Sequence, residues 1–310
     1  MVFSLPLFAV LLGAMPAMAA AEVPRVLTDL PVVQSLVAQV MGDLGAVEVL
    51  LQQGSDVHSL QLRPSQMRAL AEADLVFWVG QDLTPWLGTT LASLGLSDRS
   101  VALLSAPGVK TRAYGAPYRL SDPSPGPEAA AGDDLAGSDP HAWLDPANAQ
   151  AWLEAIAAEL SARDRANGAT YRANAATAKA AIDRLDARIK AILAPVAAAP
   201  IVVHHQAYGY FSAYYGVNIV GWLELGDAAA PSAERLAELR ATLLAQRAVC
   251  LFPEAQHDPK LVLSVVEGSG VRIGAALDPE GSSLAYGPLL YGDLMIGLAS
   301  AIADCVASAN

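Results

Sequence analysis

The chain is short of charge, and shortest of positive charge. Of its 310 residues 16% are charged, with 19 Lys+Arg against 31 Asp+Glu, a formal net charge of −12. A surface of that sign repels phosphate backbones and argues against a nucleic-acid partner. Low charge does not mean disorder here, because 54% of the residues are hydrophobic and a chain of this length can bury a sizeable core. Long charge-free apolar runs are also scarce, so the positive mean hydropathy does not describe a multi-span membrane protein. One such stretch stands at the N-terminus, MVFSLPLFAVLLGAMPAMAA, where the apolar core Leu5–Leu12 precedes Pro16 and the small-residue site Ala17-Met18-Ala19. That is the layout of a cleaved secretory signal over residues 1–19, although it lacks the usual Lys or Arg. No cysteine follows it, which excludes lipid attachment there. Cysteine occurs only at Cys250 and Cys305. In an exported chain that pair suggests one disulfide closing a 55-residue loop, with two buried free thiols as the alternative. H-E-x-x-H, P-loop and G-x-S-x-G motifs are all missing. Gly268-Ser269-Gly270 with Gly274 precedes its strand instead of following one, so it cannot present a helix N-terminus to phosphate.

What is present is an alternation. Short apolar runs at Val26–Thr28, Val47–Leu51, Leu75–Val79 and Val101–Leu104 read as strands. Helical patterns fill Pro31–Met41, Pro64–Glu72 and Leu83–Leu94. Such a βα series makes a mostly parallel sheet. Residues 112–138, rich in Pro, Gly, Ala and Asp, read as a surface loop. Asp145-Pro146 opens a helix to about Ala162. Past Gly168 a helix of about 25 residues, roughly 37 Å long, carries Ile182, Leu185, Ile189 and Ile192 at helical spacing. A second series follows, with strands Ile201–His204, Val217–Val220, Ala248–Phe252 and Val271–Gly274. Its helices are Tyr208–Tyr214, Ser232–Leu244, Pro259–Glu267 and Pro288–Ala307. The expected architecture is α/β, two mostly parallel-sheet lobes joined by one long helix. Residues 20–167 form the first lobe, 168–195 the linking helix and 196–310 the second lobe. No internal sequence repeat is evident.

The chain has five histidines, His58, His141, His204, His205 and His257. Neutral imidazole suits borderline cations such as zinc. His58 (GSDVHSL) follows a strand, His141 (DPHAWLDP) follows the long loop, and His204-His205 (IVVHHQAYGYF) end a strand. Ligands of parallel α/β sheets gather at strand carboxyl ends. The gaps from 58 to 141 and from 141 to 205, 83 and 64 residues, are too wide for a structural zinc module. A metal held by these segments would bridge two lobes. A carboxylate could complete the shell. Asp278 (LDPEG) is the favoured candidate, and Glu254 (LFPEAQ) and Glu224 (WLELG) also follow strands. Trp143, Tyr208, Tyr210 and Phe211 read as cleft packing with a capacity for ligand stacking.

Together these segments resemble the ZnuA-type zinc-binding proteins of ABC transporters, members of the periplasmic metal-binding receptor family, over about residues 24–308. GSDVHSLQLRPS is similar to that family's first ligand loop, DPHAWLDP to its second histidine motif, HHQAYGYF to its third and LDPEG to its L-D-P-x-G. The resemblance implies two α/β lobes on a rigid helix, with Zn2+ as transported cargo in the cleft on His58, His141, His205 and Asp278 (or water), and His204 as a neighbour. It implies a C-terminal-lobe disulfide that Cys250 and Cys305 match. It further implies a non-enzymatic, monomeric periplasmic protein that feeds an inner-membrane ABC permease. A manganese or iron receptor is the sibling alternative, and a zinc hydrolase the alternative from another class. Two departures stand out. Residues 112–138 contain no histidine, and Val57 stands where some members carry an acid.

Overall fold

Apolar residues covered on both faces are what make a parallel strand stable, and the runs around Leu27, Val76, Val202 and Leu251 satisfy that condition, being buried throughout. In the computed structural model, which describes residues 23–55, 57, 61–113, 137–224 and 232–309, the first half contributes β1 (Val26–Thr28), β2 (Val47–Val49), β3 (Leu75–Trp78) and β4 (Ser100–Ala102). They pair in parallel in the order β2-β1-β3-β4. The helices between them, α1 (Pro31–Met41), α2 (Pro64–Glu72) and α3 (Pro85–Ser93), each open on a proline, whose missing N–H is no loss in a first turn.

Two long helices follow. The Asp145 side chain caps α4 (Pro146–Arg163) by accepting from the Ala147 N–H at 2.8 Å. The helix α5 (Gly168–Leu193) has 26 residues, about 39 Å at 1.5 Å each. It packs against α1, α4 and the final helix, burying a stripe that includes Tyr171, Ala178, Ile182, Ile189 and Leu193.

The second half carries β5 (Ile201–His205), α6 (Gly209–Tyr215), β6 (Ile219–Glu224), α7 (Ala233–Ala245), β7 (Cys250–Phe252), α8 (Lys260–Val266), β8 (Arg272–Ile273) and α9 (Leu290–Ala309). Its strands are parallel in the order β6-β5-β7-β8. Both lobes therefore wind the same topology, a repeat that their sequences do not display. By length and hydropathy α9 could cross a membrane, but half of it is buried inside the protein. It serves as a core helix packed on α1, α5 and β7. A disulfide joins Cys250 on β7 to Cys305 on α9.

Side-chain alternation along the strands divides the core. Leu27 and Val76 face a cluster under α2 and α3, and Val202 and Leu251 face one with α7 and α8 residues. The opposite faces, with Val26, Phe77, Val203 and Phe252, join one continuous core that runs through both lobes. Trp143, Trp152, Tyr171 and Ile182 belong to it.

Several expected elements shift. The strand expected at Val217–Val220 begins at Ile219, because the Val217 carbonyl accepts from Ser212 Oγ and the Asn218 N–H goes to Ala197. The run Val101–Leu104 divides into β4 and a 3-10 turn, Leu103–Ser105. Ala113 and Ser138 form an antiparallel bridge at the two ends of the long segment. The rest of that segment, 114–136, and the signal expected over residues 1–19 lie outside the described residues.

Candidate metal centre

An open parallel sheet forms its crevice where successive crossovers leave in opposite directions. In the second lobe that point lies between β5 and β7, the strands that end next to His205 and Glu254. Sheet order thus brings together two residues far apart in sequence. Both Glu254 oxygens lie 2.7 Å from His205 Nδ1, and the Tyr208 hydroxyl donates to Glu254 Oε1 at 2.8 Å. Glu254 is 3% exposed. Burial would raise its carboxyl, but the charge and hydrogen bond of His205, with His204 and Tyr208, outweigh that and hold it well below the ordinary range. The Tyr208 hydroxyl is pushed well up, first by burial and then by the charges of Glu254, Asp278 and Glu280.

The opposite wall comes from the first half of the chain. Asp139 Oδ1 accepts from the His141 backbone N–H at 3.0 Å and lies 2.8 Å from His141 Nδ1. The Asp139 carbonyl in turn accepts from the Tyr210 hydroxyl at 2.9 Å, and that hydroxyl accepts from the Arg112 N–H at 2.8 Å. A second-half tyrosine therefore braces the first-half histidine. His141 is fully buried. With Nδ1–H turned to a carboxylate, the lone pair sits on Nε2. That atom is buried with no hydrogen-bond partner among the described residues.

The rings of His141 and His205 stand 5.4 Å apart, centroid to centroid, at 62°. Two imidazoles bound tetrahedrally to one zinc at about 2.05 Å would place their centroids about 5.2 Å apart. The centroid separation matches that of two imidazoles on one zinc, and each ring is steadied at Nδ1 by a buried carboxylate. Such outer carboxylates fix ring orientation and raise ligand basicity.

The other two expected ligands differ. His58 lies outside the described residues. The base of its loop meets the second lobe, where Gly54 N donates to Ser282 O at 2.8 Å and the Tyr286 hydroxyl donates to Leu51 O at 3.2 Å. Asp278 is engaged within its own turn. Its Oδ1 accepts from Gln256 Nε2, Gly281 N and Ser282 N, and its Oδ2 accepts from Ser283 N and Oγ. Five donors occupy the capacity of one carboxylate. The turn holds Glu280 buried, and Pro279 O accepts from Trp143 Nε1 at 2.8 Å, a further tie between the lobes. Among the described residues, Asp278 therefore organises the turn facing the DPHAWLDP segment.

Asp139, two residues before His141 in DPHAWLDP, carries no separate signal in the sequence. Glu254, a candidate ligand by its place after a strand, instead holds His205 at Nδ1. The equivalent switch point of the first lobe, between β1 and β3, is closed by Asp29, which accepts from Leu30 N at 2.8 Å and Val79 N at 2.9 Å. Burial raises its carboxyl to about 7 against the pull of those N–H groups.

Residues 26–305 match the family model described as ZnuA, zinc-uptake complex component A, periplasmic. The chain is 47% identical to the high-affinity zinc uptake system protein ZnuA of Paracoccus denitrificans, with 95% of each chain covered. It is 30% identical to the ZnuA of Brucella abortus, with 93% of each covered. Among solved structures it is similar to a zinc-bound ZnuA deletion mutant, with a TM-score of 0.74, 25% identity and 92% and 98% of the two chains covered. The periplasmic zinc-binding protein TroA of Treponema pallidum, 20% identical with a TM-score of 0.75 and 91% and 99% coverage, shares the fold.

Proposed function

This chain belongs to the ZnuA family of periplasmic zinc-uptake components, and from that premise we propose that it captures Zn2+ between its lobes on His58, His141 and His205 and hands it to an inner-membrane ABC permease. The observation that carries the reading is the His141–His205 pair, two buried rings 5.4 Å apart with a carboxylate at each Nδ1. Three imidazoles form a nitrogen-rich shell, which suits zinc better than manganese. In this reading water fills the fourth position, and Asp278 enters it only by giving up some of its five bonds. An exchangeable fourth ligand suits cargo that must leave. Residues 1–19 act as the export signal, and the mature chain works in the periplasm.

The lobes share one core along α5, and their ties include Trp143–Pro279 and Gly54–Ser282. Loading and release in this design use small shifts of the cleft-lining turns. A receptor also fits better than a zinc hydrolase. The carboxylate best placed to act as a base, Glu254, is committed to His205 and Tyr208, and a general base must reach a substrate proton.

The test is metal content of the stripped mature protein after dialysis against limiting, equimolar zinc and manganese. One tightly held zinc per chain, lost in His141→Ala, is expected. Manganese in its place would move the protein to the sibling transport class, and no bound metal would overturn the reading.

A further inference from the structure

On β5, His204 precedes His205, and its ring turns towards another set of residues. His204 Nε2 lies 3.6 Å from Glu224 Oε2 at the end of β6. The His204 ring stacks on the His257 ring with centroids 4.2 Å apart at 34°. One ligand atom from each of His204, Glu224 and His257 can be chosen so that all three lie within 4.8 Å of one another. His204 is 2% exposed, yet neither of its ring nitrogens has a hydrogen-bond partner among the described residues. Buried polar atoms ordinarily find partners, so an unpartnered buried imidazole aimed at a carboxylate and a second imidazole is a feature that a cation would explain.

We propose that His204, Glu224 and His257 form a second divalent-cation site, distinct from the cleft pair and selective for borderline ions such as Zn2+. Two imidazoles and one carboxylate are a zinc-type donor set with room for water as a fourth ligand. An all-oxygen shell would be needed for Mg2+ or Ca2+. The His257 side chain is 32% exposed, so the site opens to solvent where His141 does not. Glu254 lies between the two sites, with Oε2 2.7 Å from His205 Nδ1 and 3.7 Å from His257 Nε2. A cation held there would stand behind His205, on its Nδ1 side, with the Glu254 carboxylate between the two. The inference does not depend on which residues hold the cleft ion.

The experiment is a zinc titration of the stripped mature chain, read by chelator competition and metal content, with cobalt absorption as a second readout. Wild-type protein, His257→Ala, Glu224→Gln and His141→Ala are compared. His257 and Glu224 are partly exposed, so their variants should fold, and thermal melting checks this. Wild type is expected to bind a tight and a weaker equivalent. His257→Ala and Glu224→Gln each keep the tight one and lose the weaker, and His141→Ala does the reverse. Visible cobalt bands from the second equivalent should vanish in His257→Ala. A single wild-type equivalent abolished by His141→Ala overturns the second site and leaves the cleft reading standing. A weaker equivalent unchanged in both His257→Ala and Glu224→Gln also overturns it. A single equivalent lost in His257→Ala and kept in His141→Ala supports this site and overturns the cleft assignment.

Discussion

Replacing Glu254 with Gln preserves size and removes a charge, so it isolates what that buried carboxylate does for His205. Glu254 accepts from two donors, His205 Nδ1–H at 2.7 Å and the Tyr208 hydroxyl at 2.8 Å. A glutamine has one carbonyl oxygen to share between them, and its NH2 cannot accept. A hydrogen bond to a charged group contributes about 1.5–3 kcal/mol and a neutral one about 1. Exchanging a charged bond for a neutral one should therefore cost roughly 0.5–2 kcal/mol of ligand orientation and basicity, and the donor left without an acceptor adds to that. Zinc affinity in the cleft should fall about 10–100-fold, the range found for outer-shell carboxylates. Chelator competition against wild type measures it, and thermal melting of metal-free protein separates binding from folding. A loss under about threefold would refute the argument that Glu254 orients His205. A loss far beyond about 100-fold would refute it the other way, by making Glu254 itself a ligand. The pH profile supplies a second readout. The folded carboxyl is held below its ordinary value, so it stabilises the fold above the unfolded Glu range. That share is lost as pH falls through the depressed value. Glu254→Gln should lack this acid-side loss.

The remaining predictions rest on separate parts of the molecule. His205→Ala should weaken tight zinc binding far more than His204→Ala in matched titrations, and equal losses would overturn the assignment of the two. Removing both Cys250 and Cys305 as alanines should lower stability by at most about 4 kcal/mol, the loop-entropy figure for a separation of 55; urea midpoints check it, and a loss below about 1 kcal/mol would contradict that origin. Asp278→Asn should loosen the 278–283 turn by leaving one oxygen for five donors, seen as faster amide exchange at Gly281–Ser283; unchanged exchange would refute its organising role. For Asp29, raised to about 7 by burial, the protonated form is the one the fold favours. Its share of stability is present at acid pH and lost as pH rises through about 7, so the wild-type advantage over Asp29→Asn should shrink across that range in denaturant titrations.

Local sequence signals set the individual elements of this protein. Short apolar runs bounded by turn residues marked β1, β3 and β7, and prolines marked the starts of α1 and α2. The periodic isoleucines marked α5. These signals act within a few residues, where backbone preference and burial period are decided. The same logic put His205 at a strand end and His141 before a capped helix, and the motif resemblance joined them into one site. Tertiary structure alone decided the rest, because parallel pairing brings together strands that are distant in sequence. It set β7 beside β5, and so Glu254 against His205 across 49 residues. It placed Tyr210 under Asp139 across 71 residues. It tied Asp278 to Gln256 across 22 residues, whereas its other four bonds lie within the 278–283 turn. It also brought His257 and Glu224 to His204, a grouping that no spacing in the chain announces, since sheet order and not sequence distance decides which strand ends are neighbours.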